Sequence, residues 1–172
     1  MVDGAARGRA ARRRLARGEG GVRLTLLAVG KADGKPEGLL VADYLKRLPW
    51  PMRVIEVAER RPLAAAELKR REGNLMLAKL PAEAHLVALD RTGRELDSER
   101  FAAELAKWRD SGVRELAFAL GGADGLDETV LARAQMRLSL GAMTWPHLLA
   151  RVLLAEQLFR AASILAGHPY HR

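Results

Sequence analysis

Val22-Arg23-Leu24-Thr25-Leu26-Leu27-Ala28-Val29-Gly30 is an almost continuous apolar run, broken only by Arg23 and Thr25 and closed by a glycine. A strand with one wet face alternates apolar and polar residues. A run without that alternation predicts a strand buried on both faces, as in a parallel sheet covered by helices. Outward from this run the same texture recurs at residues 52–57, 84–89, 116–120 and 136–140, giving five expected strands.

Between them the periodicity changes. Residues 36–48 read as a helix stopped by Pro49 and Pro51. Residues 62–80 have helix-forming composition with an expected interruption around Gly73. Ser98 is expected to cap a helix whose Phe101, Leu105 and Trp108 share one face, ending near Gly112. Asp127 is expected to cap a short helix running to Ala134, and Pro146 to open a long final helix to Ala166. Strands alternating with helices predict an α/β fold with a mainly parallel sheet, in which ligands gather at the carboxyl ends of the strands. The loops after Leu89, Leu120 and Leu140 are therefore the first candidate sites.

The 172 residues suit one domain that needs no metal or disulfide to hold it. There is no cysteine, which excludes disulfides, thiolate nucleophiles and cysteine-ligated metals. No apolar run approaches the length of a membrane helix and no secretory signal is visible, so a cytoplasmic, membrane-free protein is expected. Six arginines against Asp3 and Glu19 place half of the net charge of +8 in residues 1–21. That stretch has almost no large apolar residue and is expected to be a disordered basic extension, with residues 22–172 forming the domain. The basic body is compatible with a phosphate-rich partner, and equally with a solvated surface.

Two segments and the terminus have chemical promise. Gly121-Gly122-Ala123-Asp124-Gly125 follows a strand and precedes a helix, so a ligand can approach its backbone. It lacks the spacing of a dinucleotide fingerprint or a P-loop, and alone it is also the pattern of a plain turn. Leu138-Ser139-Leu140-Gly141-Ala142-Met143-Thr144-Trp145-Pro146-His147 offers backbone amides and apolar side chains, which suit an adenine and a thioether; singly, Met143 and Trp145 also read as core. The ending His168-Pro169-Tyr170-His171-Arg172 combines an imidazole, a stackable phenol and a guanidinium, a set that an RNA base and phosphate can use and that a frayed terminus also shows. The nearly all-round apolar final helix predicts a homodimer.

Taken in order, Leu26-Leu27-Ala28-Val29-Gly30-Lys31, Leu89-Asp90, the glycine loop through Leu126, the segment from Leu138 to His147, Arg151-Val152-Leu153 with Glu156-Gln157, and the terminal tail closely resemble the ribosomal RNA pseudouridine N3-methyltransferase family of the SPOUT class. The resemblance covers about residues 22–172 and leaves residues 1–21 outside it. It implies a C-terminal trefoil knot forming the pocket for S-adenosylmethionine, with no metal. It assigns Leu89, Gly121, Gly122, Leu140, Gly141, Ala142, Met143, Thr144 and Trp145 to that methyl donor. Tyr170, His171 and Arg172 take the substrate role, with His171 as a possible proton acceptor. The implied partners are the assembled ribosome with its large-subunit RNA and a second copy of the chain. The alternatives are a SPOUT enzyme acting on transfer RNA and a non-catalytic RNA-binding module.

Overall fold

The computed structural model describes residues 21–168. Along the chain, β1 (Arg23–Val29), α1 (Pro36–Arg47), β2 (Met52–Val57), α2 (Ala65–Lys79), β3 (His85–Glu95), α3 (Ser98–Asp110), β4 (Glu115–Leu120), α4 (Glu128–Arg133), β5 (Met136–Ser139) and α5 (His147–Leu165) alternate as expected. The five strands form one sheet in the order β2-β1-β4-β3-β5, every pair parallel. The expected α/β fold with a parallel sheet is therefore the fold observed.

The unalternating sequence of β1 has a direct cause. Leu24, Leu26 and Ala28 enter one core with Phe118 of β4, Phe101, Leu105 and Trp108 of α3, and Leu154 and Leu158 of α5. Leu27 and Val29 point the other way, onto Met76 of α2 and Val130 and Leu131 of α4. Both faces are dry, and each fully buried Leu or Phe contributes about 1.5–3 kcal/mol.

Three local expectations change. Helix α2 runs unbroken through Gly73, which is buried where α2 packs on α4. Asp97, not Ser98, caps α3: its carboxylate accepts from the Arg100 N–H at 2.7 Å. Ser98 is the first helical residue, and its hydroxyl donates to Gln157 Oε1 at 2.7 Å, tying α3 to α5.

The third change bears on function. β3 continues past Leu89 and meets β5 twice, Val87, Ala88 and Leu89 opposite Met136, Arg137 and Leu138, then Arg94 and Glu95 opposite Leu138 and Ser139. The residues between the two registers fold tightly over β5. A Cβ on Gly93 would lie 2.6 Å from the Arg137 carbonyl carbon, so only glycine fits that crossing. Among the described residues, no helix is long and apolar enough to cross a membrane.

Candidate active site

The three strand-end loops singled out from the sequence converge on one cavity of about 760 Å³. Leu89 closes β3, Leu120 closes β4 and Leu138 lies in β5; all three are buried and make an apolar floor. One wall is the glycine loop, residues 121–125. The other is the loop from Leu140 to Trp145, and His147 with Ala150 of α5 completes it. The volume lies within the range of small-molecule sites.

The glycine wall is folded on itself. The Gly125 N–H donates to the Gly122 carbonyl at 3.1 Å, and a Cβ on Gly121 would stand 2.3 Å from the Gly125 carbonyl carbon. Gly121 is thus required first by the loop's own main chain. The opposite wall is open. Met143 is 73% and Trp145 41% exposed, and the Trp145 indole reaches only the Leu140 carbonyl, at 3.4 Å. Among the described residues, the N–H groups of Ala142, Met143, Thr144 and Trp145 donate to no protein acceptor. Backbone donors left unengaged at a cavity edge are available to a ligand.

Of the residues the resemblance assigned to the methyl donor, Leu89, Gly121, Gly122, Leu140, Gly141, Met143, Thr144 and Trp145 line this cavity. Ala142 lies on the same loop, exposed, and does not line it. Tyr170, His171 and Arg172 lie outside the described residues, as do residues 1–20 of the basic extension.

Beneath the cavity sits a charged group that sequence reading missed. Arg151, 1% exposed, donates through Nη1 to Glu56 Oε1 at 2.6 Å and through Nη2 to the carbonyls of Val29 and Gly30 at 2.7 and 2.9 Å. Glu56 also accepts from the Ala32 N–H at 2.7 Å. Burial alone would raise the Glu56 pKa, but the Ala32 N–H and the Arg151 guanidinium together hold it below its ordinary value. This network fixes the end of β1 and the turn after it against α5.

One turn earlier in α5, His147 faces the cavity and makes no hydrogen bond among the described residues. Burial, then the charges of Arg151 and Lys35, outweigh Glu37 and push its pKa below the ordinary histidine value. It is therefore a neutral imidazole at neutral pH, able to accept a proton. The signal available in sequence was its place directly after Pro146, at the start of the helix that borders the loop.

Comparison with known proteins identifies the family. Residues 22–171 match the family model described as "Predicted SPOUT methyltransferase". A "Ribosomal RNA large subunit methyltransferase H" of Paramagnetospirillum magneticum is 55% identical over 151 residues, covering 88% of this chain and 99% of its own. The protein of the same name from Rhodospirillum centenum is 52% identical with the same coverage. A crystal structure of a probable methyltransferase from Bordetella pertussis Tohama I, 18% identical, aligns with a TM-score of 0.53 over 90% of this chain and 99% of that one, a likeness of fold. With its glycine loop, its open amide wall and a family match running nearly the length of the parallel sheet and its last helix, the chain belongs to the SPOUT methyltransferase family.

Proposed function

We propose that the chain methylates N3 of a pseudouridine in large-subunit ribosomal RNA, on the assembled ribosome, with S-adenosylmethionine as donor. The observation that carries this reading is the cavity, apolar in its floor and edged by Met143, Thr144 and Trp145, whose amides have no acceptor among the described residues. An adenosine and a thioether chain want that combination of dry walls and backbone hydrogen bonds. The name shared by the relatives from Paramagnetospirillum and Rhodospirillum supports ribosomal RNA as substrate.

When bound, S-adenosylmethionine supplies an electrophilic methyl group and departs as a neutral thioether. The chain's own residues position the two reactants, exclude water and take a proton. Leu89, Leu120 and Leu138 dry the floor, and Gly121 and Gly122 form the close wall. The residues from Leu140 to Trp145, Ala142 through its amide, hold the donor. N3 must lose its imide proton as it gains the methyl. Neutral His147 is the imidazole acceptor among the described residues that line the cavity, beside the carboxylates of Asp90 and Asp124. His171 of the tail is the other imidazole of this reading, with Tyr170 and Arg172 holding the substrate.

Within the same reading the enzyme is a cytoplasmic homodimer. Leu39 and Leu40 of α1 and Leu149 of α5 are exposed together with Met143 and Trp145, and α1 packs on α5, so these apolar groups favour a second copy placed beside the cavity. The double meeting of β3 with β5, with Gly93 folded over the strand, supports the trefoil knot. Residues 1–21 are then an extension to a single domain, 22–172.

The test is to measure S-adenosylmethionine binding by calorimetry and then methyl transfer to assembled ribosomes, to free ribosomal RNA and to transfer RNA. Donor binding and transfer to ribosomes alone are expected. Transfer to transfer RNA alone would refute the substrate assignment, and RNA binding without donor binding would refute the enzyme. Removing Tyr170, His171 and Arg172 should keep donor affinity while transfer to ribosomes falls at least tenfold.

A further inference from the structure

A second cavity, of about 390 Å³, opens at the outer edge of β5, between α3 and the second register of β3. It is separated from the donor cavity by the turn from Asp90 to Gly93, whose first residues, Asp90 and Arg91, line the donor side, while Thr92 and Gly93 line this one. Three cations surround it, Arg94, Lys107 and Arg137, against one carboxylate, Glu104.

That carboxylate is shared and loosely held. Arg94 Nη1 lies 3.7 Å and Lys107 Nζ 3.9 Å from it, and both cations are mostly exposed, so neither pair contributes much stability. Arg137 is exposed and forms no ion pair among the described residues. Its charge, after the hydrogen bonds from Thr92, helps to hold Asp90 across the turn below the usual carboxylate range. His85 lies at the inner end, tilted on Trp108 with ring centres 4.7 Å apart, and its Nε2 is buried without a partner among the described residues. The cavity therefore has an excess of positive charge, several unfilled donor valences and a walled depth, which together fit an anion rich in acceptor oxygens.

We propose that this cavity is a seat for the RNA backbone, in which Arg94, Lys107 and Arg137 hold phosphates flanking the nucleotide whose base enters the donor cavity. The inference rests on the RNA methyltransferase reading and adds to it the surface along which the strand runs. A nucleotide seated in the donor cavity has to direct its backbone outward past one of the cavity's walls. The turn from Asp90 to Gly93 is the wall with Arg91 on its near side and Arg137 and Arg94 on its far side, so a strand crossing there meets positive charge throughout. The neutral His85 and the Trp108 beside it leave the cations as the dominant charges in the cavity.

The test compares Arg94→Gln/Arg137→Gln with the wild type, and with Lys69→Gln/Lys79→Gln on α2, across the sheet, as a matched loss of charge. S-adenosylmethionine affinity is measured by calorimetry, and binding to assembled ribosomes is measured across salt concentrations together with kcat and KM. The cavity variant should keep donor affinity and kcat within about twofold, raise KM about tenfold, and lose about two from the slope of log affinity against log salt. The α2 variant should match the wild type. Unchanged ribosome affinity and slope in the cavity variant would overturn the inference alone. So would an equal loss in the α2 variant, which would mean a general field, or a loss of donor binding, which would mean a single joined pocket. Failure of the wild type to bind or methylate ribosomal RNA would overturn the functional reading and this inference together.

Discussion

The two walls of the cavity proposed for the methyl donor are built in opposite ways. The glycine loop is satisfied internally: its main chain bonds to itself, and Gly121 presses on Gly125 with no room for a side chain. The loop from Leu140 to Trp145 leaves the amides of Ala142 to Trp145 without an acceptor among the described residues, and Met143 and Trp145 in solvent. One wall is part of the folded core, and the other, on the proposed function, is completed by what binds. Stability and ligand affinity should therefore separate along this line, and substitutions on the two sides should not resemble each other.

The sharpest break is Gly121→Val. Its Cβ meets main chain rather than a movable side chain, so a loss of about 3 kcal/mol in urea unfolding is expected, with donor binding lost alongside. A stable variant that has lost only donor affinity would show that the glycine serves the ligand directly. Arg151→Met tests the support below the walls. It leaves Glu56 partly buried without its cation and two carbonyls without a donor, an expected loss of about 3 kcal/mol or more. The pH dependence has a definite sign. The folded pKa of Glu56 lies below its ordinary 4.5, so its contribution is present above that value and is lost as pH falls through the folded pKa. Acid titration of stability should show this loss in the wild type and not in the variant.

Smaller effects sharpen the contrast. His147→Gln should slow single-turnover methyl transfer about a hundredfold at pH 7 with donor affinity kept within threefold. Because its pKa is lowered from 6.5, the wild-type rate should be flat near pH 7 and fall only as pH drops through that lower value. An identical rate profile in the variant would remove this imidazole from proton transfer. Trp145→Ala, on the open wall, should weaken donor binding about tenfold and shift Tm by no more than about 2 °C. A chain beginning at Val22 should match the full chain in both measurements, since residues 1–21 have almost no large apolar side chain.

Most of the sheet was legible because burial on both faces leaves an unmistakable mark: β1 and β4 are nearly free of polar residues, and glycines punctuate their ends. The second register of β3 was not, since Arg91, Thr92 and Arg94 have the composition of a surface loop and only the crossing over β5 makes them strand. Asp97 and Ser98 are both good caps, and the choice between them is made by Gln157, 59 residues away. The three loops that line the cavity were legible as positions, but the reason for Gly121 was not, because its neighbour is the loop itself. Arg151 was legible only as part of the family pattern, without a role; its burial depends on partners 95 to 122 residues earlier in the chain.

The late arrival of β5 has a consequence for synthesis. A ribosome making this chain releases β1 through β4 and the glycine loop before residues 136–139, so for a time β3 is an open edge whose outer neighbour has not yet been made. Uncovered parallel edges invite pairing with other chains. The last 36 or so residues close that edge, supply the open wall and lay α5 over the core in one stretch. A translation product cut short before them is thus an aggregation hazard, and the first moment at which the chain is safe from its neighbours is also the first at which its cavity exists.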